Sequence, residues 1–290
     1  MIKKDKKLTN ENVNMAPLCS KMHFDAKEAY KLLRTNIMFT LPDNSGCRVV
    51  GVTSAIRGEG KSTCAINLAY TFSQTGAKTL LIDMDMRLPS IAKKLNVAPS
   101  YGHGLSDCLV GSTTKDKIIF KIENSKNWDV IFSGSIPPTP AELIGSDNMK
   151  KLIDNLRKDY DFIVVDLPPV NVVSDALVAK DIVDGFILVV REGYSEKKSL
   201  SECVRQMEFI EANVLGFVMA DSSGVVGSYG RKYGRYSHYY RKRKYGYYSK
   251  YYKKGYGYGY GDKYGYSKYG YGYGYGHSPE IDNNNMGNGQ

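Results

Sequence analysis

The sequence lacks the features that mark several large classes of protein. Its five cysteines are odd in number, scattered and free of any C-x-x-C pair, which argues against a disulfide framework or a zinc site and favours a reducing compartment. It contains no run of about 18 apolar residues, so we expect no membrane-spanning helix. The basic N-terminal stretch MIKKDKKLTNENVN has no apolar region and is not typical of a signal peptide.

The C-terminal part of the chain is poor in acids and in branched aliphatic residues. Residues 228–276 hold 19 of the 24 tyrosines, 12 glycines and 12 Lys and Arg but a single acid, so their formal charge is +11. Such a segment buries too little apolar surface to offset the entropy lost on ordering. The sequence thus predicts three parts: a flexible leader (1–25), a folded domain (26–223) and a disordered Gly/Tyr-rich tail (224–290) with a tyrosine cluster (229–275).

Within the predicted domain, short apolar β-branched runs alternate with helical patterns. An amphipathic helix is predicted first, at 26–39. Strands are then predicted at 48–55, 78–85, 128–134, 161–169, 185–192 and 214–221, and helices at 61–76, 146–160 and 195–213. This alternation is typical of an α/β fold, with a mainly parallel sheet flanked by helices.

The stretch TSAIRGEGKST (53–63) follows a predicted strand and opens a predicted helix. The glycines Gly58 and Gly60 allow backbone N–H groups to turn inward around phosphate oxygens. In the P-loop pattern the lysine reaches the phosphates and the next hydroxyl binds Mg²⁺, roles that fall here on Lys61 and Ser62. Ala55 stands where the usual pattern has its first glycine. A P-loop NTPase that binds ATP and Mg²⁺ is therefore predicted.

Acidic residues follow two of the predicted strands. Asp166 ends FIVVD, and Asp83 and Asp85 follow the apolar run of LLIDMD. Because ligands bind at the carboxyl ends of strands in open α/β sheets, we expect these carboxylates near the phosphate loop. Simpler interpretations are a strand-terminal turn residue for Asp166, and a helix cap with a surface acid for the other two.

Together, GEGKST, LLIDMDMR, FIVVDLPPV and the tyrosine cluster resemble the bacterial tyrosine kinases of capsule and exopolysaccharide synthesis. The chain is similar to the cytoplasmic kinase half found in Gram-positive bacteria. The resemblance implies ATP- and Mg²⁺-dependent transfer of phosphate to protein tyrosine, with Asp83 as the base toward the tyrosine hydroxyl and Arg87 near a phosphate or the acids. It implies catalytic residues Lys61, Asp83 and Asp85, nucleotide contacts Gly58, Glu59, Gly60, Lys61, Ser62 and Thr63, and metal contacts Ser62, Asp85 and Asp166.

The same resemblance implies partners. An early helix of the family carries E-x-x-R-x-x-R for ring assembly, and EAYKLLR supplies Glu28, Lys31 and Arg34, with lysine replacing the middle arginine. Lysine keeps the charge but cannot form the bidentate pair. The resemblance further implies a separate membrane-spanning activator, a cognate tyrosine phosphatase, and a cytoplasmic protein recruited to the inner face of the cell membrane.

The tail fits an acceptor of phosphate, because a flexible Gly-Tyr chain can bring phenols into the active site of another subunit. The predicted phosphorylation sites are Tyr256, Tyr258, Tyr260, Tyr264, Tyr266, Tyr269, Tyr271, Tyr273 and Tyr275. Each phosphate adds about −1.5 to −2 charges, so roughly six or seven would neutralise the tail. A solubilising or condensing tail is an alternative, whereas nucleic-acid binding, although Tyr and Lys/Arg suit RNA, is disfavoured.

Two other functions suit the same motifs. A partition- or division-positioning ATPase shares the fold, but such proteins usually carry a signature lysine where this chain has Ile56. A nucleotide-gated scaffold would use ATP to assemble subunits and the tail to recruit partners. The tyrosine tail and Asp85 favour the kinase.

Overall fold

The computed structural model describes residues 22, 24–41, 46–97, 102–122, 125 and 127–220. These residues form a seven-stranded sheet in the order β3-β4-β2-β5-β1-β6-β7, covered by helices. The strands are β1 (Arg48–Ser54), β2 (Thr79–Asp83), β3 (Ile119–Lys121), β4 (Trp128–Ile131), β5 (Phe162–Asp166), β6 (Gly185–Arg191) and β7 (Val214–Ala220). All neighbouring pairs are parallel except β3 and β4, which are antiparallel at one edge.

Helices cover both faces of the sheet. They are α1 (Phe24–Thr40), α2 (Lys61–Ser73), α3 (Ile91–Lys94), α4 (Leu105–Leu109), α5 (Lys115–Ile118), α6 (Pro140–Ile144), α7 (Asp147–Leu156), α8 (Asp175–Val178) and α9 (Lys197–Phe209), with a 3₁₀ turn at Ala179–Ile182. None of these helices is long and apolar enough to cross a membrane.

Strand alternation divides the core into two apolar clusters. On β1, Val49 packs in one cluster, while Val50 and Val52 pack in the other. Helices α1 to α3 contribute to the cluster that holds Val50, and helices α4 to α9 contribute to the cluster that holds Val49. Most residues of β1, β2, β5 and β6 are buried on both faces of the sheet, which explains why these strands were recognisable as continuous apolar runs. The edge strand β7 has no buried residue.

The predicted α/β fold with a mainly parallel sheet and flanking helices is confirmed. Six predicted strands and four predicted helices are present, with ends that differ by a few residues. The first strand after the phosphate loop was predicted to reach residue 85 but ends at Asp83, and the helix predicted over 61–76 ends at Ser73 before a turn in which Gly76 has φ 90°. The short antiparallel β3 and helices α3, α4, α5, α6 and α8 were not predicted.

Candidate active site

The phosphate loop lies between the central strand β1 and helix α2. Its two glycines have left-handed backbones, with φ 83° at Gly58 and 95° at Gly60, which only glycine adopts at little cost. An added Cβ at Gly58 would also lie 3.0 Å from the hydroxyl of Tyr194. Among the described non-glycine residues, positive φ occurs at Asn96 and Glu211, so Ala55 adopts an ordinary backbone and needs no glycine. The loop therefore has the geometry expected of a phosphate cradle.

Lys61 begins α2 and reaches across to the acidic strand ends. Its ammonium nitrogen Nζ lies 2.8 Å from Oδ2 of Asp85 and 3.7 Å from Oδ1 of Asp166. Burial lowers the pKa of Lys61, but the charges of Asp166 and Asp85 outweigh that effect, so the pKa is raised. The lysine is therefore charged at neutral pH, as a residue that binds phosphate must be.

The two buried aspartates lie side by side at the ends of neighbouring strands. Asp83 on β2 is in register with Asp166 on β5, and neither is exposed to solvent. Burial raises the pKa of Asp166, although Lys61 and the Ser62 hydroxyl lower it. Burial, followed by the charge of Asp166, raises the pKa of Asp83 well above its usual range. The strand ends thus hold carboxylates that are costly to leave charged without a cation.

A pocket of about 400 Å³ opens next to these residues. Of the predicted site residues, its lining includes Gly58, Gly60, Lys61, Ser62, Thr63 and Asp85. The described residues that line it carry four cationic side chains and one acidic side chain, which suits a polyanionic ligand. The structure therefore brings most of the predicted nucleotide residues around one cavity.

Two predicted site residues have other contacts. Both oxygens of the Asp83 carboxylate are buried, and Oδ2 accepts hydrogen bonds from the backbone N–H groups of Ser90 (3.2 Å) and Ile91 (3.1 Å). Oδ2 of Asp83, the residue predicted as the base, therefore caps α3, and Asp83 is not among the residues that line the pocket, while its Oδ1 has no hydrogen-bond partner among the described residues. The side chain of Glu59 is likewise buried, accepting from the N–H of Ile56 (2.8 Å) and from the hydroxyl of Ser195. A phosphate contact of Glu59 would therefore use its backbone N–H group and not its side chain.

Two contacts at the pocket, the partner Asp175 of Arg87 and the pair of Lys94 with Thr63, were not predicted from the sequence. Arg87 donates two hydrogen bonds of 2.9 Å to the fully buried carboxylate of Asp175 and lines the pocket. Lys94 donates to the hydroxyl of Thr63 at 3.1 Å and also lines the pocket. The serine in SDALV, just before Asp175, is a helix-start signal, but no sequence signal links Asp175 to an arginine 88 residues away.

The loop that follows β6 holds the phosphate loop in place. The guanidinium of Arg191 donates to the carbonyl of Gly58 at 3.0 Å, and the hydroxyl of Tyr194 donates to the carbonyl of Arg57 at 3.1 Å. Arg191 also lies 5.0 Å from the centre of the Tyr194 ring. The hydroxyl of Ser195 also donates to the carboxylate of Glu59, so the segment REGYS makes three separate contacts with the phosphate loop.

The predicted ring-contact residues lie on α1. Glu28 and Lys31 are exposed and pair with each other at 2.7 Å. Arg34 is half-buried and donates to the carbonyl of Thr71 on α2 at 2.9 Å. The first two are accessible to another subunit, whereas Arg34 already joins α1 to α2. The predicted phosphorylation sites, Tyr256 to Tyr275, lie outside the described residues.

The carboxylates fit a magnesium ion. Both oxygens of Asp166 and Oδ1 of Asp83 are buried, and among the described residues none of the three has a hydrogen bond of good geometry, although the Ser62 hydroxyl lies beside Asp166. Mg²⁺ and its waters commonly bind to one or two carboxylates and to substrate phosphates. Ser62, which lines the pocket beside Asp166, and Asp85 complete the candidate set of metal contacts.

Comparisons with known proteins identify the family of the chain. A family model described as an AAA domain matches residues 47–214. The tyrosine-protein kinase YwqD of Bacillus subtilis is 37% identical over 192 residues, covering 66% of this chain and 79% of that protein. The tyrosine-protein kinase CpsD of Streptococcus agalactiae is 34% identical over 217 residues, covering 75% of this chain and 92% of that protein.

Solved structures give the same result. The kinase domain of the Escherichia coli tyrosine kinase ETK aligns with a TM-score of 0.65 and 30% identity, covering 71% of this chain and 79% of that chain. The septum site-determining protein MinD from Pyrococcus horikoshii, complexed with Mg-ADP, aligns with a TM-score of 0.50 and 23% identity over 60% of this chain and 70% of that chain. The second likeness shows the P-loop NTPase fold alone. This chain belongs to the bacterial tyrosine kinase family and is a tyrosine kinase.

Proposed function

We propose that this protein uses Mg²⁺ and ATP to phosphorylate the tyrosines of its own C-terminal tail in trans, and that it thereby regulates capsule or exopolysaccharide synthesis. The observation that carries the proposal is the position of Lys61 between Asp85 and Asp166 at the edge of a cationic pocket. The tail supplies the acceptors, with nine candidate tyrosines at 256–275.

The chain's residues would divide the chemistry as follows. Lys61 donates hydrogen bonds to the terminal phosphates and stabilises the charge that develops during transfer. Its present partner Asp85 is then free to accept the proton of the phenol, which at a pKa of about 10 is a poor nucleophile when protonated. Ser62 and Asp166 would hold Mg²⁺, which when bound neutralises phosphate charge and orients the triphosphate.

The transfer is an in-line displacement. The tyrosine oxygen forms a bond to the γ-phosphorus while the bond from that phosphorus to the β–γ bridging oxygen breaks. ADP leaves with the electron pair of that bond, and the phenolic proton goes to Asp85. Asp85 is the carboxylate assigned this role because it lines the pocket, unlike Asp83.

Family membership also supports a proposal about assembly and recruitment. We propose a homo-oligomeric ring that uses the exposed Glu28 and Lys31, a separate membrane-spanning activator that recruits the protein to the inner face of the cell membrane, and a cognate tyrosine phosphatase that reverses the modification. The intrahelical pair of Glu28 and Lys31, at 2.7 Å, would have to open for either residue to reach a neighbouring subunit.

Incubation of the full chain with labelled Mg-ATP tests the proposal, with and without the cytoplasmic segment of the activator. Phosphotyrosine that appears in the wild type and is absent from Lys61→Met supports it. Free phosphate without phosphotyrosine under both conditions would identify a positioning-type ATPase instead. If neither product forms under either condition, the protein is a nucleotide-gated scaffold, and the proposal is wrong.

A further inference from the structure

The pocket has two chemically different parts. Its cationic part contains Arg57, Lys61, Arg87 and Lys94. Its apolar part contains Leu88, Pro168, Pro169, Val172 and Val173. A nucleotide triphosphate accounts for the first part, because its phosphates need cations and backbone N–H groups. The phosphates do not account for the second.

Two members of the apolar part remain accessible to solvent. Leu88 is 54% exposed and Val172 is 42% exposed, whereas the aliphatic residues of the two core clusters are almost fully buried. Covering these side chains with an apolar ligand group would remove them from water, which is favourable by about 25 cal/mol for each Å² buried. Burial of these two side chains therefore favours binding of a ligand with an apolar surface at the rim of the pocket.

A backbone hydrogen bond holds Leu88 next to Asp85, the proposed proton acceptor. The N–H of Leu88 donates to Oδ1 of Asp85 at 3.1 Å, while Oδ2 of the same carboxylate accepts from Lys61 at 2.8 Å. Val172 is set on the loop after β5, where its N–H donates to the carbonyl of Pro169 at 3.2 Å. Apolar surface, carboxylate and lysine are thus held around a single cavity.

We propose that Leu88 and Val172 bind the aromatic ring of the acceptor tyrosine, with its hydroxyl directed toward Asp85. This inference rests on the proposed function and gives the site its selectivity for tyrosine. A phenol has an apolar body and one polar tip, and it binds where the ring is covered and the hydroxyl finds a partner. Serine and threonine lack the ring and would leave both side chains exposed.

The ring site also predicts which tail tyrosines are the better phosphate acceptors. Glycine on both sides of a tyrosine leaves the ring as the bulky group that enters the pocket, as in the stretch GYGYGYG (270–276). We therefore expect Tyr271, Tyr273 and Tyr275 to be better acceptors than Tyr252, which is followed by Lys253.

Steady-state kinetics of the full chain with Mg-ATP and a synthetic GYGYGYG peptide test the inference. In Leu88→Ser and Val172→Ser, KM for the peptide should rise about tenfold, the lower end of the effect of removing apolar contact from a substrate pocket. The kcat at saturating peptide and the Kd for Mg-ADP should stay within about twofold, because neither residue contacts phosphate in this account. Leu88→Met should restore the wild-type KM, since it keeps the apolar volume.

The control is Phe209→Ala, which removes an 89% exposed aromatic side chain on α9 that does not line the pocket. An unchanged peptide KM in both serine variants would refute the ring site, as would an equal rise in the Kd for Mg-ADP. If the wild type forms Lys61-dependent phosphotyrosine while both variants keep the KM, the ring site alone fails. If the wild type forms no phosphotyrosine, the proposed function and the ring site both fail.

Discussion

The ammonium nitrogen of Lys61 lies 2.8 Å from Oδ2 of Asp85, inside the pocket where the phosphates of a nucleotide would bind. The side chains of both residues are largely buried, at 12% and 7% exposure. Without nucleotide, Lys61 and Asp85 neutralise each other. A triphosphate carries more negative charge than one carboxylate and therefore competes with Asp85 for the lysine. Nucleotide binding should therefore separate this pair, so that Lys61 turns to phosphate and Asp85 becomes able to accept a proton.

Asp85→Asn should separate binding from chemistry. Asparagine keeps the shape but cannot take a proton from the phenol, so phosphotyrosine formation should fall by about 100-fold or more. The Kd for ADP measured without Mg²⁺ should stay unchanged or decrease, because Lys61 no longer has to leave a carboxylate. Titration with fluorescent ADP and a phosphotyrosine assay measure the two effects. Asp181→Asn, at an exposed carboxylate 3.8 Å from Lys150, is the control and should change neither quantity.

The buried aspartates should make the nucleotide-free protein less stable as the pH rises. The pKa of Asp83 is raised well above its ordinary value of 3.8, chiefly by burial. The folded protein therefore binds a proton at this site that the unfolded chain releases, and this contribution to stability is lost as the pH rises through the folded pKa. Asp83→Asn keeps an acceptor for the N–H groups of Ser90 and Ile91 without the charge.

Melting temperatures of the wild type and Asp83→Asn between pH 5 and pH 8 measure this effect. The wild type should lose stability relative to the variant as the pH rises, and the variant should show the flatter profile. A wild type that gains stability relative to the variant over that range would contradict the assignment of a raised pKa.

The pair between Arg87 and Asp175 should be important for stability. Asp175 is fully buried and accepts two hydrogen bonds of 2.9 Å from the guanidinium. Arg87→Ala leaves that carboxylate buried without its cation and should lower the free energy of unfolding by about 2–4 kcal/mol. Arg87→Lys should lose less, about 1 kcal/mol, because one of two hydrogen bonds can re-form.

Urea denaturation of the two variants, with Lys150→Ala as the matched control, measures these differences. Lys150 and Asp181 are both exposed and 3.8 Å apart, so the control should change stability by less than about 0.5 kcal/mol. Equal losses in Arg87→Ala and Lys150→Ala would show that the buried carboxylate has another partner.

The Ser195 hydroxyl should help to shape the phosphate loop through Glu59. Without it, one oxygen of a buried carboxylate loses its hydrogen bond, while the other still accepts from Ile56 at 2.8 Å. Ser195→Ala should therefore cost about 1–2 kcal/mol of stability and weaken Mg-ADP binding about threefold to tenfold. Ser201→Ala, at an exposed serine of α9, is the control. Calorimetric titration with Mg-ADP decides the point, and identical affinities in both variants would exclude this role.

The fold could be predicted because its central strands are buried on both faces. Continuous apolar runs such as FIVVD locate β1, β2, β5 and β6 with errors of a few residues. The antiparallel strand β3 was not predicted, because three residues are too few to show the alternation of a strand. Its pairing with β4 depends on tertiary contacts. The ends of helices and strands were also predicted with errors, because a local sequence pattern does not show the contacts that a neighbouring strand makes.

The site could be predicted only as a set of residue types. The sequence placed Lys61, Asp85 and Asp166 at ends of strands and helices that a P-loop fold brings together, and their proximity confirms that expectation. It could not distinguish Asp83 from Asp85. The strand was predicted to continue to residue 85, whereas β2 ends at Asp83. One carboxylate oxygen of Asp83 then caps α3, a contact that the local sequence pattern does not show.

Phosphate transfer between two marked copies of the full chain tests the central claim most directly. One copy carries Lys61→Met with an intact tail, and the other has a wild-type pocket with the nine candidate tyrosines at 256–275 changed to phenylalanine. After mixing with Mg-ATP, mass spectrometry should find phosphate on the tail of the Lys61→Met copy, and Lys61→Met alone should remain unmodified. A Lys61→Met tail that stays unmodified in the mixture, while wild-type protein alone becomes phosphorylated, would contradict transfer in trans.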